Sequence, residues 1–117
     1  MSINNALASV AVKDLEAALK WYGRIFKRPP SRPMSEVAEW SFVRGGGLQL
    51  YQLPERAGSG SFTMTVTSMS EQIAELDQLG IDTSERTSSD KVKTVMITDP
   101  DGNHIAFAEP LDPGLVR

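Results

Sequence analysis

Few residues in this chain have the types and spacing for chemistry. It has one histidine, His104, and no cysteine, which excludes disulfides, thiolate ligands and a thiol nucleophile. An imidazole titrating near neutral pH suits a general base or a metal ligand. His104, however, directly follows the turn Asp99-Pro100-Asp101-Gly102-Asn103. Period-2 alternation puts it in phase with Ala106 but at the outer end of its strand, so we read it as a strand-edge side chain. Asp99 and Asp101 read as turn formers, with Pro100 pre-setting φ and Gly102 tolerating φ > 0. Glu109 is out of phase with Ala106 and reads as exposed. Ser9 and Ser61 have no identifiable partner base, so nucleophilic catalysis has no support. Gly45-Gly46-Gly47 lacks the Lys-Ser/Thr ending of a phosphate loop and reads as a hairpin turn. The Arg24, Lys27, Arg28 and Arg32 cluster reads as a solvated helix end rather than an anion site. No residue is assigned as catalytic.

The elements that must position these residues repeat. An apolar run from Ala6 to Val12 precedes a helix capped by Asp14 and running to about Phe26, with Leu15, Ala18, Leu19, Tyr22 and Phe26 on one stripe. Pro29, Pro30 and Pro33 stop the helix and read as a stiff connector. Strands are expected at Ser35–Ala38, Trp40–Val43 and Leu48–Leu53. In the second half, a run from Phe62 to Thr67 precedes a helix with a Ser68/Glu71 capping box, a stripe of Ile73, Leu76 and Leu79, and Gly80 as its stop. Strands follow at Thr83–Thr87, Lys91–Thr98 and His104–Glu109, the last two forming a hairpin. Val12-Lys13-Asp14-Leu15 corresponds to Val66-Thr67-Ser68-Met69, and Gly47-Leu48-Gln49-Leu50 to His104-Ile105-Ala106-Phe107. Gly58-Ser59-Gly60-Ser61 reads as a flexible linker. The expectation is an α+β domain spanning 1–117. It is built of two βαβββ modules, about 1–57 and about 61–112, in a curved mixed sheet whose face away from the helices forms a cup.

The 117 residues carry a net charge of −3 and a sequence pI near 5.1. There is no basic excess for nucleic acid, no basic leader and no apolar run of membrane-spanning length. A cytoplasmic location is the default expectation.

The Val-x-Asp-Leu helix start, the helix end Trp21-Tyr22-Gly23-Arg24-Ile25-Phe26 and the Asp99-Pro100-Asp101-Gly102-Asn103 turn together resemble the vicinal oxygen chelate superfamily. That group includes glyoxalase I, the extradiol dioxygenases, the fosfomycin-resistance enzymes and the bleomycin-resistance proteins. The resemblance covers nearly the whole chain and implies paired modules, a homodimer with clefts between modules and, in many members, one divalent ion. The four metal-ligand positions it implies fall here at Leu7, Gln49, Ser61 and Ala106. Leucine and alanine cannot coordinate a cation, and an amide plus a hydroxyl is a poor set for Zn²⁺, Ni²⁺, Mn²⁺ or Fe²⁺. We therefore expect no metal and no other cofactor.

What remains for the cup is an apolar and hydroxylated lining. Leu7, Ser9 and Ala11 share one strand face, Gln49 and Tyr51 another, and Ser61, Thr63, Thr65, Ala106 and Ala108 match them in the second half. Trp40, Phe42 or Met96 stand at its rim. For Trp40 and Tyr51, core packing and ligand contact are equally good readings. The expected ligand-binding residues are Leu7, Ser9, Trp40, Phe42, Gln49, Tyr51, Ser61, Thr63 and Ala106, suited to an aromatic or largely apolar small molecule. The expected function is sequestration of a drug or metabolite by a dimer of the bleomycin-resistance kind. The alternatives are a metal-dependent lyase, isomerase or dioxygenase of the same superfamily, and a degenerate interaction domain.

Overall fold

The computed structural model describes residues 2–111; the expected end of the second module at Asp112 lies outside them. The elements are β1 (Leu7–Val12), α1 (Leu15–Phe26), β2 (Ser31–Met34), β3 (Val37–Ser41), β4 (Gly47–Gln52), a 3-10 turn (Pro54–Arg56), β5 (Ser61–Thr65), α2 (Met69–Gln78), β6 (Glu85–Ser88), β7 (Val92–Thr98) and β8 (His104–Pro110). They form two four-stranded mixed sheets, ordered β1-β4-β3-β2 and β5-β8-β7-β6. The expected α+β architecture of two βαβββ modules is present. The described residues divide into two compact units, one holding 2–60 together with 100–103, the other 61–99 together with 104–111. No helix among the described residues is long and apolar enough to cross a membrane.

In the first unit, α1 begins where side chains meet its orphan amides. Asp14 Oδ1 accepts from the Glu16 and Ala17 amides at 3.1 and 3.4 Å, and Gln52 Oε1 accepts from the Leu15 amide at 2.9 Å. Leu15, Ala18, Tyr22 and Ile25 are its buried stripe. They cover the sheet face carrying Val10, Val12, Ala38, Trp40, Leu48 and Leu50. The helix stops at Lys27, which takes the left-handed conformation (φ 60°) and donates to the Gly23 carbonyl at 2.8 Å.

Two expectations are corrected in this unit. No strand spans Ser35–Ala38; Ser35 and Glu36 form the turn between β2 and β3. Pro33, read as part of a connector, lies within β2, an edge strand where a missing N–H breaks no ladder bond on the open side. Arg32 closes the turn by donating to the Ser35 and Val37 carbonyls at 2.7 and 3.1 Å.

The Gly58–Ser61 segment is also not a free linker. Gly58 has φ +91°, and a Cβ there would stand 2.3 Å from the Asp101 carbonyl oxygen. The Gly60 amide donates to Asn103 Oδ1 at 2.8 Å, and Asn103 Nδ2 donates to the Ala11 carbonyl at 3.0 Å. The Asp101 carboxylate accepts from the Lys13 amide at 3.0 Å. The 100–103 turn is thus bonded to the end of β1 and to the segment before β5, a role local turn chemistry does not announce.

In the second unit, Ser68 Oγ accepts from the Glu71 amide at 3.2 Å and Glu109 Oε1 accepts from the Met69 amide at 2.6 Å, so α2 starts as α1 does. Glu109, expected to be exposed, is half-buried because its phase points it toward the helix. Met69 and Leu76 pack over Val95, Ile97, Ile105 and Phe107, all buried. Gly80, at φ +76°, ends the helix. Thr83 was expected to open the next strand. Instead it is buried, donates to Asp77 Oδ1 at 2.7 Å and accepts at its carbonyl from Arg86 Nε at 2.6 Å, and β6 begins at Glu85.

Candidate functional site

Each helix covers one face of its sheet, and the candidate functional residues are best judged by which face they occupy. On the first sheet's face away from α1, the ladder sets three rows across β1, β4 and β3: Leu7–Gly47–Ser41, Ser9–Gln49–Glu39 and Ala11–Tyr51–Val37. The Leu7 side chain lies over Gly47, where a Cβ would stand 2.4 Å from Leu7 Cδ2, so glycine makes room for it. Leu7 nonetheless remains 48% exposed, while Ala11 and Val37 are buried. In the central row, Ser9 Oγ donates to Gln49 Oε1 at 3.2 Å. Glu39 flanks Gln49 on the other side, half-buried, with no bond to its carboxylate among the described residues. Four expected lining residues, Leu7, Ser9, Gln49 and Tyr51, therefore share one face of one sheet.

Trp40 and Phe42 do not join them. Trp40 pairs with Leu48, on the helix side of the sheet, and is 1% exposed. Its ring meets Phe26 at 4.8 Å and Tyr22 at 6.4 Å, and its indole N–H donates to the Arg28 carbonyl at 3.0 Å. Phe42 stands edge-on to Phe26 at 5.6 Å, beneath the Arg28 guanidinium at 5.7 Å. The placement of these two rings at the cup rim is corrected: both pack on the α1 side. Arg28 also donates to the Ser41 carbonyl, so part of the basic cluster is spent on structure.

Glu39 is the residue the sequence reading missed. Expected strands at Ser35–Ala38 and Trp40–Val43 leave Glu39 between them, whereas β3 runs from Val37 to Ser41. The signal was available in the alternation Val37-Ala38-Glu39-Trp40, since a buried tryptophan forces its neighbour onto the opposite face.

On the second sheet, the face away from α2 carries Ser61–His104–Thr98, Thr63–Ala106–Met96–Glu85 and Thr65–Ala108–Thr94–Thr87. The expected residues Ser61, Thr63 and Ala106 lie there together. His104 is exposed, and its row neighbours are hydroxyl side chains. A groove of about 280 Å³ beside the start of α2 is lined by Thr65 to Ser68, Glu71, Gln72 and Glu75; of the expected cup residues it includes Thr65 alone, and none of the nine expected ligand-binding residues.

The superfamily's divalent ion can be tested against these side chains. At its positions the chain offers hydrocarbon from Leu7 and Ala106, one amide and one hydroxyl. Among the described residues no three His, Cys, Asp or Glu side chains come together as a metal-binding group. These donors do not fit the ion.

No family model and no curated protein sequence matches this chain. Among solved structures, it is 31% identical to a glyoxalase / bleomycin resistance protein from Catenulispora acidiphila DSM 44928, with a TM-score of 0.81 over 92% of this chain and 98% of the other. The antibiotic binding protein TnmS3 from Streptomyces sp. CB03234 shares the fold at 23% identity and TM-score 0.80, over 94% and 98%. An integron cassette protein from V. cholerae shares it at 18% and 0.74, over 93% and 95%.

Proposed function

Because the chain belongs to the glyoxalase / bleomycin resistance protein family, we propose that it binds a small molecule and holds it without transforming it. The observation carrying this is the row Ser9–Gln49–Glu39 between Leu7 and Tyr51 on the face away from α1. It offers a few hydrogen-bonding groups amid apolar and aromatic surface, the composition of a ligand-binding lining rather than of a general acid–base site. The hydroxyls of Ser61 and Thr63 beside Ala106 supply a similar surface in the second module. A protein of the same fold is an antibiotic binding protein, which supports sequestration as the use of such a surface. In this reading the two modules act as one domain, two copies of the chain pair, and the guest is aromatic or largely apolar. The working compartment is the cytoplasm.

A calorimetric and thermal-shift screen of aromatic, glycopeptide and quinone-like compounds tests the proposal. A saturable guest recovered chemically unchanged is expected. Turnover of a compound, together with a near-stoichiometric divalent ion in protein purified without chelators, contradicts it in favour of a metal-dependent enzyme.

A further inference from the structure

Building on the proposed binding face, we infer that Gln49 and Glu39 form a two-point recognition pair for an N–H-bearing amide edge: a primary carboxamide, lactam or urea attached to a planar ring. The two residues are register partners on adjacent antiparallel strands, which sets their Cα atoms about 5 Å apart with side chains on one face. Ser9 donates to Gln49 Oε1, which turns that oxygen toward β1 and leaves Nε2, with no bond among the described residues, to donate to a guest. The same orientation is favoured electrostatically, since an amide oxygen turned toward the Glu39 carboxylate would be repelled.

The row therefore presents one donor beside one charged acceptor. A guest carbonyl accepts from Gln49 Nε2 while its neighbouring N–H donates to the Glu39 carboxylate. A half-buried carboxylate without a partner prefers a guest that supplies a donor and disfavours one that brings a second anion. The ring of such a guest has Tyr51 in the next row, two residues along β4, as its apolar neighbour. Glu39 thus sets specificity, while Leu7 and Tyr51 supply burial.

Three matched probes test this by backbone amide shifts on the intact protein: naphthalene-2-carboxamide, its N,N-dimethyl amide and 2-naphthoate. The primary carboxamide is expected to shift Ser9, Glu39 and Gln49 and to bind about tenfold tighter than the dimethyl amide, as loss of a charge-assisted hydrogen bond implies. The naphthoate should bind most weakly. Glu39→Leu should erase the gap between the two amides and Glu39→Gln should narrow it, each with the unliganded spectrum otherwise retained. Equal binding of all three probes on this face, or a gap that survives Glu39→Leu, overturns the recognition pair while leaving a binding face. Failure of every probe to shift any residue of β1, β3 or β4 overturns both.

Discussion

At the start of α1 the Leu15 amide is held by the Gln52 side chain, and at the start of α2 the Met69 amide is held by the Glu109 side chain. The two acceptors occupy equivalent positions, Gln52 the last residue of β4 and Glu109 the last but one of β8, each five residues after the strand's first residue, Gly47 or His104. One device, a last-strand side chain reaching the helix N-terminus, thus serves both modules. The faces away from the helices have diverged. The first presents an amide, a carboxylate and a phenol side by side; the second presents mostly hydroxyls and small side chains, with Met96, one imidazole and the Glu85 carboxylate on its edge strand. The cores differ as well. Trp40, Tyr22 and Phe26 fill the first, whereas Leu76, Val95, Ile97, Ile105 and Phe107 fill the second. Helix–strand contacts carry the architecture, and the two modules differ most in the side chains on the faces turned away from the helices.

The core contrast gives the largest expected effect. Trp40→Ala should destabilise the protein by about 3–5 kcal/mol in urea unfolding, the range for a buried large aromatic, against roughly 1–3 kcal/mol for Val95→Ala. A loss under about 1 kcal/mol at Trp40 would mean the ring does not pack under α1. Asn103→Ala comes next. It leaves the Gly60 amide and the Ala11 carbonyl without their partner, and about 2–3 kcal/mol is expected. Asn103→Asp should be no better, because a carboxylate turned to the Ala11 carbonyl repels it.

The shared helix start predicts smaller, parallel losses. Gln52→Ala and Glu109→Ala should each cost about 1 kcal/mol, as removal of an N-terminal cap does. Only the Glu109 effect should shrink with added salt, since only that acceptor is charged at the helix dipole. Salt dependence at Gln52, or none at Glu109, breaks the distinction. Smallest of all, Ser9→Ala and Thr63→Val should change stability by less than about 0.5 kcal/mol, as exposed side chains on a sheet face do.

Much of this molecule is legible from its sequence where local physics decides the outcome. The caps at Asp14 and Ser68, the stop at Gly80, the Leu15–Ala18–Tyr22 part of the α1 stripe, Leu76 in α2 and the repeat itself follow from residue type and spacing, whereas Ile25 and Met69 are buried outside the expected stripes and Leu19, Phe26, Ile73 and Leu79 are only half-buried. The face assignment of Leu7, Ser9, Gln49, Tyr51, Ser61, Thr63 and Ala106 follows from alternation once their strands are bounded. What long-range contacts decide was misread. Pro33 forms an edge strand because β3 recruits it, and that shifted the strand bounds and hid Glu39. Trp40 falls on the α1 side because pairing with Leu48 of β4 fixes its phase, and Phe42, in the turn just after β3, packs there against Phe26. Asn103 and Gly58 gain their roles from partners dozens of residues away in the chain, which turn propensities cannot anticipate. Glu109 was given the right phase but the wrong surroundings, since the helix start it meets lies outside its own strand.

The most direct test compares affinities for a guest found by screening across three variants, measured by isothermal titration. If the face away from α1 holds the guest, Gln49→Leu and Tyr51→Ala each weaken binding about tenfold or more, while Phe42→Ala, on the helix side, leaves it within about twofold once stability is matched. Affinity unchanged in the first two variants and lost in the third would contradict the account.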